Sequence, residues 1–312
     1  MIRVLCILPC DGKHKEMLEK AGQGQCEFVF KAPAAVRDAD LSGVSAVIGN
    51  IEPEILKGSD VRFLQLNSAG FEAYKKEDLP SGIAVCNAKG AYGLTVSEHM
   101  LALTFSLIRH LERYRDRQSA HIWKDCGNVT SIEGSTVLVL GLGDIGGEYA
   151  RKVKALGASR VIGVRRNVKA QMPEYLDEQH SLDELDSLLP VADIIAMVLP
   201  GGSQTEGLIN KARFSLMKPG AYLINCGRGS SIVQDDLYEA LESGRIAGAA
   251  IDVCTPEPLP SKSPLWDLEN LVITPHVAGN FFLKETFERV MRISCTNLQN
   301  FISKKELINQ VI

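Results

Sequence analysis

Short apolar runs separated by helical patterns recur along the whole chain, and this alternation predicts an α/β protein with parallel sheets. Over residues 1 to about 90, strands are predicted at 2–8, 26–30, 45–49, 62–67 and 83–86, with helices near 13–21 and 53–57. From Thr95 through Arg117, the residues Val96, Met100, Leu103, Leu107, Ile108 and Leu111 recur at helical spacing, which predicts one long amphipathic helix. A polar linker follows, around His121 to Glu133. Beyond it, strands near 136–140, 160–164, 193–199, 221–225, 248–252 and 271–274 alternate with helices near 144–156, 181–189, 208–217 and 234–243. The tail from about Phe282 to Phe301 is helical and is expected to pack back on the first unit. The expected organisation is a unit over 93–279 inserted into a smaller α/β unit made of 1–92 and 280–312.

One junction carries chemistry. Val137-Leu138-Val139-Leu140 runs straight into Gly141-Leu142-Gly143-Asp144-Ile145-Gly146, and a helical pattern begins as the glycines end. A buried strand stopping at a Gly-x-Gly-x-x-Gly turn aims backbone N–H groups and the positive end of a helix at one spot, which suits a pyrophosphate. Gly141 allows the tight turn, Gly143 the approach of the phosphates and Gly146 close helix–strand contact. The inserted unit is therefore expected to be a doubly wound (Rossmann) dinucleotide-binding domain. The next strand ends in Arg165-Arg166-Asn167, where an NAD site usually carries an acid for the ribose hydroxyls. Guanidinium groups suit a 2′-phosphate instead. NADP is the expected cofactor, with NAD possible.

Composition narrows the classes. A hydrophobic content of 45%, a charged content of 23% and a net charge of −4 describe an ordinary soluble globular protein. Basic residues are dispersed, so neither nucleic acid nor an anionic membrane is an expected partner. No apolar run approaches a membrane span, and the N-terminus reads as a strand without signal-peptide features, so a cytoplasmic location is expected. None of the eight cysteines forms Cys-x-x-Cys, so reduced thiols and no metal are expected.

Loops at the carboxyl ends of parallel strands are where α/β sites assemble. Leu223-Ile224-Asn225-Cys226-Gly227-Arg228-Gly229 places Arg228, a planar fork suited to a carboxylate, between two glycines. The run from Ala249 to Pro258 places Asp252 at a strand end and Glu257 in a proline-stiffened loop. Val272-Ile273-Thr274-Pro275-His276 stops a strand at Pro275 and presents His276 directly after it. Hydride transfer to a ketone needs a proton donor, a carboxylate anchor and a group that keeps the donor protonated. His276, Arg228 and Glu257 fill these three roles. His14, His99, His110, His121 and His180 are weaker candidates, and no hydrolase elbow, zinc-protease or P-loop lysine motif is present.

With these segments in hand, the chain resembles the D-isomer-specific 2-hydroxyacid dehydrogenase family. Residues 141–146 resemble its nucleotide loop, 225–229 its Arg segment, 248–260 its Asp-plus-Glu segment and 274–279 its His segment, in the same order. The resemblance implies a flavodoxin-like substrate domain and reduction of a small 2-oxo acid to a D-2-hydroxy acid. It implies His276 as acid/base paired with Glu257, and Arg228 as the anchor of the substrate carboxylate and carbonyl. Leu66-Asn67-Ser68-Ala69-Gly70 resembles the family's substrate loop, so Ser68, Ala69 and Gly70 are expected at the substrate carboxylate. Cofactor contacts are expected from Asp144 and Ile145 as well as the three glycines, from Arg165, Arg166 and Cys226, and from Asp252 at the nicotinamide amide. Leu199-Pro200 is also expected on the cofactor edge, in a segment (Leu199 to Ser203) that departs from the family's bulkier one. Family members dimerise through the long helix, so a homodimer is expected. Alternatives on the same fold are a corepressor-like nucleotide sensor and NAD-linked phosphoglycerate- or formate-type dehydrogenases; the lack of an appended regulatory domain weighs against full-length phosphoglycerate dehydrogenase.

Overall fold

The computed structural model describes every residue of the chain except Lys169. It divides into two compact units, Met1–Tyr92 with Phe281–Ile312, and Gly93–Asn280.

The first unit is built on five strands: β1 (Ile2–Cys6), β2 (Cys26–Phe30), β3 (Ala46–Ile48), β4 (Phe63–Gln65) and β5 (Ala84–Cys86). All pair in parallel in the order β2-β1-β3-β4-β5, which is the flavodoxin-like order. Helices α1 (Gly12–Gly22) and α2 (Pro53–Leu56) connect the early strands. Asp11 caps α1, its Oδ1 accepting from the His14 N–H at 3.0 Å. Leu5, Val47, Leu64 and Val85, one from each of four strands, are fully buried in one core.

The second unit opens with α3 (Gly93–Arg109) and α4 (Leu111–Ser119). Seven strands follow with their helices: β6 (Thr136–Leu140), α5 (Asp144–Ala155), β7 (Arg160–Val164), β8 (Glu178–His180), α6 (Leu185–Leu188), β9 (Ile194–Met197) and α7 (Lys211–Leu216). Then come β10 (Tyr222–Asn225), α8 (Gln234–Glu242), β11 (Gly248–Ile251) and β12 (Leu271–Ile273). The sheet is parallel throughout, in the order β12-β11-β10-β9-β6-β7-β8. Chain order reverses between β6 and β9, so the loops leaving those two strands diverge and open the crevice in which such sheets hold ligands. Inside this unit α3 packs on α5, with Thr104 Oγ1 2.8 Å from the buried hydroxyl of Tyr149. The last helix is α9 (Lys284–Ile302), which belongs to the first unit, where Asn297 Nδ2 donates to Gln65 Oε1 at 2.7 Å.

Three expectations need correction. The single helix from Thr95 to Arg117 is two helices, broken at His110, which takes a φ of 57° and whose Nε2 lies 2.8 Å from the Asn128 carbonyl oxygen. Leu111, counted in the apolar stripe, is exposed. A single left-handed residue turns the helix axis without disturbing the apolar spacing, so periodicity cannot detect it. Strand β8 has no expected counterpart, because Glu178-Gln179-His180 is a polar edge strand. The helix expected over 181–189 is one short α segment between two 3₁₀ turns, because Pro190 cannot continue the helical ladder.

Candidate active site

The glycine turn after β6 is shaped by contact. A β-carbon on Gly146 would stand 1.8 Å from the Gly141 carbonyl oxygen, so α5 meets the strand only because that residue has none. Gly141 has a φ of 102°, and a β-carbon there would stand 2.7 Å from the Val198 carbonyl oxygen. The space over Gly143 is open, with nothing within 4 Å of where a β-carbon would lie. The N–H groups of Leu142, Gly143, Asp144 and Ile145 donate to no protein acceptor among the described residues. Free N–H groups at a helix N-terminus beside open space fit a phosphate anion. Asp144 contributes only its N–H to this surface. Its carboxylate lies against Gly93 of α3, and Oδ2 is buried without a partner.

The neighbouring loops continue the crevice. Leu199 is buried, and its backbone N would lie 2.8 Å from a β-carbon on Gly227. Cys226 donates its N–H to the Met197 carbonyl, and burial pushes its thiol well above the ordinary range, so it stays neutral. At the end of β7, Arg165 is half-buried and Arg166 exposed. Neither guanidinium has a hydrogen bond or ion pair among the described residues.

Strands β10, β11 and β12 are adjacent, so the loops after them lie side by side. Asn225 braces the first: its Oδ1 accepts from the Gly227 N–H at 3.0 Å and its Nδ2 donates to the Arg228 carbonyl at 3.0 Å. Arg228 donates from Nη1 to the Gly227 carbonyl at 2.8 Å. Gln234 clips this loop to the next, its Nε2 donating to the Thr255 carbonyl and its Oε1 accepting from the Thr255 N–H. In the second loop, Glu257 Oε1 accepts from the Cys254 N–H at 3.0 Å, which leaves Oε2 for another partner. That partner is His276, whose Nδ1 lies 2.8 Å away. His276 and Glu257 are 52% and 38% exposed at the side chain, so the pair faces solvent or a ligand.

Asp252 follows directly on β11. It is 2% exposed, and both of its oxygens accept bonds from the 274–278 segment: Oδ1 from Thr274 Oγ1 and the Val277 N–H, Oδ2 from the Ala278 N–H. Its carboxylate holds the loop that carries His276. Two residues that the sequence did not single out as functional join it, His99 and Thr274, whose Nε2 and Oγ1 are 3.1 Å apart. A histidine four residues after Thr95 on one helix face was the available signal, and it reads equally as a helix-surface residue.

In the first unit, the 66–70 loop is stapled from several sides. Asn50 and Asn67 exchange side-chain-to-backbone bonds, Asn87 Nδ2 donates to the Ala69 carbonyl, and Ser68 Oγ donates to the Gly70 carbonyl at 2.6 Å. The N–H groups of Ser68, Ala69 and Gly70 donate to no protein acceptor among the described residues. A row of free backbone donors is suited to a carboxylate.

Residues 101–278 match the family described as D-isomer specific 2-hydroxyacid dehydrogenase, NAD binding domain. The chain belongs to the D-isomer specific 2-hydroxyacid dehydrogenase family. It is an NAD(P)-dependent oxidoreductase acting on CH–OH donors. It is 31% identical over 249 residues to glyoxylate/hydroxypyruvate reductase B of Pectobacterium carotovorum, covering 77% of each chain. Its fold matches that of a family protein from Aeromonas salmonicida with a TM-score of 0.87 at 29% identity, over 100% of this chain and 99% of that one. An NADPH-dependent glyoxylate/hydroxypyruvate reductase from Sinorhizobium meliloti, solved with NADP and sulfate, matches with a TM-score of 0.82 at 26% identity, over 100% and 98% of the two chains. As for membranes, no described helix of this dehydrogenase is long and apolar enough to cross one.

Proposed function

We propose that this dehydrogenase reduces a small 2-oxo acid to the D-2-hydroxy acid, reversibly, with NADPH as the preferred donor. The observation that carries the reading is the His276–Glu257 pair, held at the carboxyl edge of the nucleotide-binding sheet next to the Arg228 loop. The free N–H groups of 142–145 would hold the pyrophosphate, and the bound nicotinamide supplies the hydride. Glu257, accepting from Nδ1, orients the imidazole so that Nε2 delivers a proton to the carbonyl oxygen as it becomes a hydroxyl. Arg228 takes the substrate carboxylate and polarises the ketone. In the first unit, the free N–H groups of Ser68, Ala69 and Gly70 are suited to a carboxylate as well.

Arg165 and Arg166 support NADPH, since they close β7 with no protein partner among the described residues and no acid stands at that strand end. Glyoxylate and hydroxypyruvate, carried in the relatives' names, head the list of substrates to try. Steady-state kinetics on a panel of 2-oxo acids with NADPH and with NADH tests the reading, and a flat rate across the panel with both cofactors overturns it. A homodimer is part of the same reading. Leu111, Tyr114, Ile122 and Trp123 form an exposed apolar group on and after α4, and light scattering on the eluted protein tests it. A reducing cytoplasm suits eight free cysteines.

A further inference from the structure

His276 has a φ of 52°, a conformation that residues with a β-carbon adopt rarely, so its loop must be held. Its N–H donates to the carbonyls of Asp252 and Thr274, at 2.9 and 3.0 Å. The Asp252 carboxylate then fastens both sides of the residue, through Thr274 Oγ1 at 2.6 Å, the Val277 N–H at 3.0 Å and the Ala278 N–H at 3.1 Å. A second hold comes from α3, where Thr95 and His99 stand four residues apart on one face. Thr95 Oγ1 donates to the Ala278 carbonyl at 3.3 Å, and His99 Nε2 lies 3.1 Å from Thr274 Oγ1.

Proton counting gives this network a direction. A threonine hydroxyl has one proton, and an ionised carboxylate can only accept. The bond to Asp252 therefore uses the Thr274 proton, and toward His99 the hydroxyl must accept. Nε2 of His99 carries a proton, and a directed chain runs from His99 through Thr274 to Asp252. The same Nε2 is 3.7 Å from Asp252 Oδ1, so it also adds positive potential at the buried carboxylate. Successive bonds of this kind polarise and strengthen one another.

We propose that His99 is a positioning residue for His276, acting through Thr274 and Asp252 without touching the reacting atoms. The inference rests on His276 being the acid/base, and it adds a source for that residue's placement. Loss of the chain frees the 274–279 loop, so His276 meets the carbonyl less often in the productive geometry. The nucleotide loop after β6 belongs to other strands, so cofactor binding stays.

The test uses the full chain in five variants: Thr274→Val, which keeps the shape and removes the hydroxyl; His99→Phe, which keeps a ring and removes the donor; His99→Gln, which keeps a donor; the double variant His99→Phe/Thr274→Val; and His276→Ala. The readouts are kcat, KM for NADPH and amide exchange over 274–279. Thr274→Val and His99→Phe should each lower kcat about tenfold with KM for NADPH within about twofold, the split expected when only the placement of a catalytic group is lost. Amide exchange over the loop should quicken in both. The double variant should be no worse than the poorer single one, because one chain is cut twice, and His99→Gln should recover most of the rate. Should His99→Phe fail to fold, Thr274→Val and His99→Gln decide the question. Near-parental kcat in Thr274→Val beside an inactive His276→Ala overturns the positioning role and leaves the acid/base assignment standing. Additive losses in the double variant overturn it likewise. An active His276→Ala removes the acid/base reading and this inference with it.

Discussion

Nδ1 of His276 lies 2.8 Å from Oε2 of Glu257, and the other ring nitrogen of His276 meets no protein partner among the described residues. The carboxylate thus occupies one edge of the imidazole and leaves the opposite edge for substrate. If Nε2 delivers the proton, His276→Ala should lower kcat by roughly two to four powers of ten while cofactor binding persists. Glu257→Gln should be less damaging, since an amide oxygen can still accept from Nδ1 but carries no charge. Reduction consumes a proton and oxidation releases one, so raising the pH should slow the first and favour the second. His276→Ala activity within about threefold of the parent would sink the assignment.

Arg228 is expected to act on the bound substrate and on the transition state alike. Arg228→Ala should raise KM for the 2-oxo acid and lower kcat together. Arg228→Lys should restore only part of the loss, because a point charge does not reproduce the planar fork. Unchanged kinetics in either variant would reassign Arg228 to bracing its own loop, where it already donates to Gly227.

Cofactor choice turns on the end of β7. Charge-assisted bonds contribute about 1.5–3 kcal/mol, so the arginines should make kcat/KM with NADPH about tenfold to a hundredfold higher than with NADH. The preference should shrink as salt rises, because Arg165 is only half-buried and Arg166 is exposed. Arg165→Asp should reverse it by replacing the cation with an acceptor for ribose hydroxyls. Equal values with the two cofactors at one ionic strength would contradict the reading of this strand end.

The β8 edge has its own pH dependence. Arg160 first, and then His180, hold the Glu178 carboxyl down to about 2, while Glu184 and Glu178 raise the pKa of His180. Because the folded-state pKa of Glu178 is depressed, its stabilising effect is present above the ordinary carboxylate range and is lost as pH falls toward 2. Because the pKa of His180 is raised, its effect is complete below its ordinary range and is lost as pH rises through the folded-state value. The two overlap in mildly acidic solution. His180→Gln should therefore lower the thermal midpoint more at about pH 5.5 than at about pH 9. The effect should be small, since every member of the cluster is partly solvated. An equal loss at both pH values would show that the cluster works by packing alone.

The glycine turn shows how much of the fold is legible in the sequence. Gly141 is required by its φ of 102° and Gly146 by the Gly141 carbonyl five residues before it, so the strand–turn–helix that needs them is written locally. Strands β6 and β7 and most of the other boundaries follow for the same reason: apolar runs stopped by glycine, proline or charge. Arg228, Glu257 and His276 could be singled out because each closes a strand or stands in the loop after one, and the topology of a parallel sheet delivers such loops to one edge.

The missed features lack a local signature. The break at His110 depends on Asn128, and β8 is a strand only because β7 offers it an edge. The role of Asp252 depends on a loop more than twenty residues further on, and that of His99 on a threonine 175 residues away. By itself the sequence determined which segments form strands and helices and which side chains the strand ends carry, because those follow from periodicity and from the steric demands of neighbouring residues. Only the tertiary structure decided that Asp252 holds the His276 loop and that His99 completes the hold, because a hydrogen bond between distant residues exists only once packing has brought donor and acceptor within 3 Å or so of each other.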